Sequence, residues 1–251
     1  TKIKERLLKI GIAQITPLAG NVEHNVNRHI DMIKLAVQKN AKAIFFPELS
    51  ITGYEPELIN NSIDTFNAES KLSTFQKLSD ENDLVIGIGA PLKIETGIQI
   101  AMYIFQKNRP MTTYAKQTLH EDETPYFVPG TKQVVINIEG YNIAPAICYE
   151  SVLHDHARKA STLNADIYLA SVAKSHNGIK KAISHFPRIA QEYGFTVLLS
   201  NSVGKCDDFV SAGNSAAWNS AGQKLAELDN ETEGVLLIDV EKNDTCTMLL
   251  S

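Results

Sequence analysis

The segment Asn142-Ile143-Ala144-Pro145-Ala146-Ile147-Cys148-Tyr149-Glu150 decides the reading of this chain. Its first six residues form a short, mostly apolar run, the pattern of a buried strand. Pro145 cannot donate to a ladder and counts against a central position. The run stops at a thiol. The same arrangement recurs upstream. Lys42-Ala43-Ile44-Phe45-Phe46 reads as a buried strand that ends at Pro47-Glu48, and Tyr114-Ala115 leads to Lys116. In sheets of this kind, strand ends present reactive groups. One carboxylate, one ammonium and one thiol delivered this way make a nucleophilic hydrolase site.

Working outward, residues 9–15 read as a strand. Asn21 or Asn25 caps a helix running to about residue 40, with Val22, Val26, Ile30, Ile33 and Val37 at three- and four-residue spacing. A strand follows at 42–46, a helix at 72–81, and strands at 84–90 and 98–106. A hairpin over 134–138 and 141–147 turns at Glu139-Gly140. The second half continues with a helix at 152–163, a strand at 167–171, a helix at 179–193 interrupted near Pro187, and a strand at 195–201. Strands are expected at 212–218, 223–228, 234–240 and 245–250. This alternation predicts an α/β protein with mixed sheets covered by helices. No Pro/Gly/Ser-rich linker or repeat divides the chain, so residues 1–251 are expected to form one domain.

The 251 residues are 43% hydrophobic and 21% charged, with a net charge of −5, an ordinary globular composition. No basic block argues for nucleic acid or an anionic membrane. No apolar stretch approaches the roughly 20 residues of a membrane span. Residues 1–6 are polar, with no signal-peptide core behind them, and the chain lacks an initiator Met, which is compatible with trimming. The three cysteines, Cys148, Cys206 and Cys246, are widely spaced and form no CxxC pair. They argue against a disulfide framework or a zinc site and lead to the expectation of a reducing, cytoplasmic setting.

Cys148 is the candidate nucleophile. A free thiol is mostly protonated at neutral pH and needs a base or a nearby cation. A helix expected to begin near Ser151 or Val152 would favour the thiolate and offer backbone N–H groups to an oxyanion. Each residue also has an ordinary reading: a buried structural Cys, a turn carboxylate at Glu48, a surface Lys at a strand end. The cluster His154-Asp155-His156 lacks a third ligand at useful spacing, so solvated side chains are expected there rather than a metal.

Taken in order, these segments resemble the nitrilase superfamily of carbon–nitrogen hydrolases. The likeness begins at Ile10-Gly11-Ile12-Ala13-Gln14 and continues through Phe46-Pro47-Glu48-Leu49-Ser50-Ile51-Thr52-Gly53-Tyr54, Tyr114-Ala115-Lys116, residues 123–130 and Ile147-Cys148-Tyr149-Glu150. It ends near Ser211-Ala212-Gly213-Asn214-Ser215 and Gly222. The resemblance implies a four-layer α-β-β-α sandwich and a catalytic set of Glu48 (general base), Lys116 (oxyanion cation) and Cys148. It also implies a supporting Glu123, chosen over Glu121 by its spacing to Phe127 and Gly130. The Tyr149 N–H becomes the oxyanion backbone donor, and Tyr54, Tyr149 and Ala173 become candidate pocket residues within a region that includes Ser171-Val172-Ala173-Lys174. Glu150 is expected to hold a loop, and His120 to be a plain loop residue with no Asp partner. In the family an Arg-Ala pair often precedes the Glu of the late helix. Here Glu192 fits, Ile189 occupies the Arg position and Arg188 lies one residue off.

The activity implied is hydrolysis of a small non-peptide amide or carbamoyl amine through a Cys148 thioester, with no cofactor and no metal. The same residues would serve a nitrile hydrolase or an acyl transferase. A catalytically silent scaffold is the rival of another class, disfavoured because such a protein has no need of an unpaired buried Lys and Glu. The run Glu121-Asp122-Glu123 hints at a cationic amide. The expected partners are a small-molecule amide and further copies of the chain, as a homodimer or larger assembly.

Overall fold

The computed structural model describes residues 7–66 and 69–250; the N-terminal expectation concerns residues 1–6, which lie outside them. In chain order the elements begin with β1 (Lys9–Gln14), α1 (Val22–Gln38), β2 (Ala43–Phe45), α2 (Ile59–Phe66), α3 (Glu69–Asn82), β3 (Val85–Ile94), β4 (Gly97–Phe105) and β5 (Thr112–Ala115). Next come β6 (Ile136–Ile138), β7 (Tyr141–Ile147), α4 (His154–Thr162), β8 (Ile167–Val172), α5 (His176–Tyr193) and β9 (Thr196–Asn201). The chain finishes with β10 (Val203–Cys206), β11 (Phe209–Ala212), β12 (Ala216–Trp218), β13 (Lys224–Glu227), β14 (Gly234–Asp239) and β15 (Asp244–Leu249).

Two mixed sheets carry the fold, one in the order β15-β14-β1-β2-β3-β4-β5 and the other β13-β12-β9-β8-β7-β6. Strand alternation sorts side chains into three apolar layers. Ile10, Ile12, Phe45, Met102 and Ile104 of the first sheet meet Ile143, Ile147, Leu169 and Leu198 of the second. The outward residues Ile44, Ile86, Ile88 and Tyr103 pack under Met32 and Ile33 of α1 and Phe75 of α3. On the other side Ala144, Ala146, Tyr168 and Leu199 pack under Ile179, Phe186 and Ile189 of α5. The result is the α-β-β-α sandwich in four layers.

Pro145 does occupy a central strand. β6 pairs with β7 only as far as Ile143, so no strand faces Pro145 on that side, and the Gln133 amide donates to the Pro145 carbonyl at 2.9 Å. The missing N–H therefore leaves no gap in a ladder. The expected break at Pro187 is absent: α5 runs continuously through it, held by Phe186, Ile189 and Ala190 in the core. Strand 212–218 is divided, because Asn214 takes a left-handed conformation (φ 53°) that ends β11 before β12 begins. Helix α2 and the β10–β11 hairpin were not expected from the sequence. Both are short, and only tertiary packing supports them.

Candidate active site

Glu48 and Lys116 come from the first sheet, Cys148 from the second. β2 ends at Phe45, and the Phe46-Pro47-Glu48 segment then runs hard against β3. A Cβ on Gly89 would lie 2.1 Å from the Pro47 carbonyl oxygen and 2.6 Å from the Leu49 nitrogen, so only glycine admits the passage. Leu49 itself has φ 49°. The two sheets are tied at this level: the Ser171 hydroxyl of β8 donates to the Phe46 carbonyl at 2.7 Å.

Lys116 is fully buried. Its ammonium donates to Glu48 Oε1 at 2.8 Å and to Glu123 Oε1 at 2.7 Å. Glu123 also accepts from the Tyr54 hydroxyl at 2.9 Å and, through Oε2, from the His120 backbone N–H at 2.9 Å. Glu48 Oε2 is buried with no full hydrogen bond. Burial raises the Glu48 pKa above the usual carboxylate value; Lys116 opposes this, Glu123 reinforces it, and the Cys148 thiol pulls it slightly down. Burial alone would lower Lys116, but Glu48, Cys148 and Glu123 hold it above its ordinary value. Two carboxylates thus share one cation in a buried site, and the Glu48 carboxyl is held above its ordinary pKa there.

Cys148 follows the last residue of β7 in a strained left-handed conformation, φ 49°, which turns its side chain out of the strand direction. Its thiol lies 3.7 Å from the Ala173 carbonyl. Burial, then Glu48, pushes it up to about 11, against the pull of Lys174 and Lys116. The expected helix N-terminus is not where the sequence placed it. Residues 148–152 form a short 3-10 turn, and α4 starts only at His154. Helix-dipole support for a standing thiolate is therefore lost, and the resting thiol is neutral.

Glu150 holds the loop, binding both sides of the site. Oε1 accepts from Tyr114 Oη at 2.5 Å and the Ile147 N–H at 2.9 Å; Oε2 accepts from the N–H groups of Gln117 at 2.8 Å and Thr118 at 3.1 Å.

A cavity of about 350 Å³ opens onto Cys148 and is lined by Tyr54, Glu123, Tyr149 and Ala173. The remaining wall includes side chains that sequence reasoning missed: Lys181 of α5 and Asp207, Asp208 and Phe209 from the β10–β11 turn. The polar pair Asp207-Asp208 between short segments at 203–206 and 209–212 was the only available signal for that hairpin. Phe209 meets Tyr54 edge-on at 5.7 Å. His120 is not a plain loop residue: it lines the cavity, pairs with Asp122 at 2.6 Å and packs edge-on against Tyr149. Glu121 is not among the cavity residues.

The His154-Asp155-His156 cluster separates. His154 lies in hydrogen-bond contact with Glu192 at 2.9 Å, in the place where Arg188 does not reach, and Asp155 pairs with Arg158 and Lys159. His156 is buried rather than solvated, bonded to Tyr168 Oη at 2.8 Å and Tyr114 Oη at 3.0 Å. Among the described residues no group of His, Cys, Asp and Glu could hold a metal ion, and no helix is long and apolar enough to cross a membrane.

Residues 9–247 match the family model of carbon–nitrogen hydrolases. The chain belongs to this family and is an enzyme of that class, a carbon–nitrogen hydrolase. It is 26% identical over 224 residues to the glutamine-dependent NAD(+) synthetase of Acinetobacter baylyi, covering 86% of this chain and 41% of that protein. It therefore spans less than half the length of that relative. A probable nitrilase of Schizosaccharomyces pombe is 22% identical over 246 residues, covering 94% of this chain and 89% of its own length. An amidase from Nesterenkonia sp. AN1, solved as a Cys-to-Ala mutant in complex with butyramide, has the same fold. Its TM-score is 0.85 at 22% identity, with 97% of this chain and 95% of that one covered.

Proposed function

We propose that this protein hydrolyses a small non-peptide amide through a thioester on Cys148. The observation that carries the reading is Glu48 and Lys116 paired at 2.8 Å behind a cavity that exposes the Cys148 thiol.

In this mechanism Glu48, its basicity raised by burial, takes the thiol proton as sulfur attacks the carbonyl carbon. Coupling the two events avoids a free thiolate, which burial disfavours. The C=O π pair moves onto oxygen, and the oxyanion is met by the Lys116 ammonium and the Tyr149 backbone N–H. Glu48 returns the proton to the departing nitrogen, the C–N bond breaks, and ammonia or an amine leaves. Water then adds to the thioester as Glu48 takes its proton. Collapse of the second oxyanion expels Cys148, which recovers that proton, and the carboxylic acid is released. Glu123 and Tyr54 hold Lys116 in place throughout.

The test is intact-protein mass with ammonia release, using a panel of neutral, anionic and cationic amides, carbamoyl amines and nitriles. An acyl adduct on Cys148 with stoichiometric ammonia is the expected result, and Cys148→Ala should lose both. The reading falls if Cys148→Ala still turns over, or if no panel member gives an adduct or ammonia although Cys148 remains alkylatable. Cys246 is exposed and would label regardless, so labelling belongs in a Cys246→Ser background.

A further inference from the structure

Lys174 takes no part in the reaction described above, yet it lines the same cavity as Cys148. It stands two residues beyond the end of β8 and is only 8% exposed. Among the described residues its ammonium has no hydrogen bond and no ion pair. The ammonium therefore presents its three donors to the cavity, where no described protein group accepts them.

The fold fixes this side chain in place. Asn201 clamps its backbone, accepting from the Lys174 N–H at 2.9 Å and donating to the Lys174 carbonyl at 3.2 Å. The aliphatic stem lies along the first turn of α5: a Cβ on Gly178 would sit 3.2 Å from Lys174 Cβ and 3.4 Å from Cγ. Ser175 caps that helix through the Gly178 N–H at 3.3 Å, and Ser175 and Gly178 both line the cavity. The positive end of an 18-residue helix therefore adds to the Lys174 charge.

Among the described residues no carboxylate is paired with it. Glu48 and Glu123 are both engaged with Lys116. Asp122 is paired with His120, and Asp207 and Asp208 are exposed at the cavity rim. Of the acidic run, Glu123 and Asp122 are engaged within the protein and Glu121 lies outside the cavity lining, and a cationic substrate would bring a second ammonium toward Lys174.

We propose that Lys174 is the subsite for a negatively charged group on the acyl part of the substrate, so that the preferred substrates are amides of short dicarboxylic acids. This rests on the hydrolase reading above. The substrate carboxylate supplies the acceptors that the Lys174 ammonium lacks, and the pairing orients the amide carbon toward Cys148.

The test compares three amides of matched length with the full chain: glutaramate, pentanamide and 5-aminopentanamide. Glutaramate should have the highest kcat/KM, by about tenfold or more over pentanamide, and 5-aminopentanamide the lowest. Lys174→Met should reduce the glutaramate-to-pentanamide ratio by about tenfold to a hundredfold, through KM rather than kcat. Lys174→Gln repeats the test should the Met variant fold poorly. An unchanged ratio in the variant, or an equal fall in kcat on all three amides, would overturn the subsite. So would a preference for 5-aminopentanamide. Calorimetry of glutaramate on Cys148→Ala, with and without Lys174→Met, reads the subsite without chemistry. Lys174-dependent binding with no turnover by the wild type sinks the hydrolase reading and keeps the subsite. Turnover of pentanamide with no preference for glutaramate does the reverse.

Discussion

Glu150, two residues after Cys148, accepts a hydrogen bond at 2.8 Å from the backbone N–H of Gln117, the residue after Lys116. One carboxylate thereby sets the thiol-bearing elbow of one sheet against the lysine-bearing strand end of the other. Glu150→Gln turns an acceptor oxygen into a donor facing N–H groups or the Tyr114 hydroxyl. The expected loss is about 3 kcal/mol of stability, from the cost of leaving buried, charge-assisted bonds unmade. The variant should also lower kcat more than it raises KM. Urea unfolding and steady-state ammonia release check the two effects; a variant with normal stability and kcat would show that the bridge is dispensable.

The pH profile of kcat/KM follows from the raised Glu48 and the raised Cys148. Glu48 must be ionised to act as base, so activity should fall as pH drops through a value above the ordinary carboxylate pKa of 4.5. Because the thiol is pushed up to about 11, no inflection is expected near 9, where an ordinary thiol ionises. A profile that tracks thiol ionisation around pH 9 would contradict proton transfer within the attack step.

Gly89→Ala places a methyl against backbone atoms of Pro47 and Leu49 that cannot turn aside. It should cost about 2 kcal/mol or more and displace Glu48. Thermal unfolding and kcat should both decline, whereas Gly194→Ala, where no atom lies within 4 Å of the added Cβ, tests only the left-handed backbone and should leave kcat nearly unchanged.

His29 lies beneath the Glu48 segment, stacked on Phe46 at 4.1 Å and bonded to the Ser50 hydroxyl at 2.8 Å. Burial lowers its pKa from 6.5 to about 4. The folded state therefore prefers neutral His29, and the unfolded chain binds the extra proton below pH 6.5. Its stabilising contribution is fully present above 6.5 and declines as pH falls toward 4, by about 3 kcal/mol in all. Urea midpoints at pH 7 and pH 5 measure the decline, and His29→Gln should flatten that slope.

Strand ends carrying Glu48, Lys116 and Cys148 were legible in the sequence because buried strands are written as short apolar runs, and a polar residue closing such a run stands out. The choice of Glu123 over Glu121 came from the family resemblance, which sets a carboxylate a few residues before Phe127 and Gly130; in the structure it is Glu123 that bonds Lys116. The α/β alternation was legible for the same local reason. What lay between sequence-distant segments was not. The helix expected to begin near Ser151 or Val152 begins at His154; His120 acquires Asp122 and Tyr149 as neighbours; and His156 is buried against two tyrosines, where a solvated side chain was expected. The resemblance put Lys174 in a pocket-lining region without distinguishing it from Ser171, Val172 or Ala173; α5 and Asn201 fix it facing the cavity. Local periodicity is fixed by backbone geometry and side-chain alternation, so the chain alone determines its elements and the residues at their ends. Which of those ends share one cavity depends on the stacking of two sheets, a contact between residues more than a hundred positions apart, as between Ser171 and Phe46. Only the tertiary structure decides it.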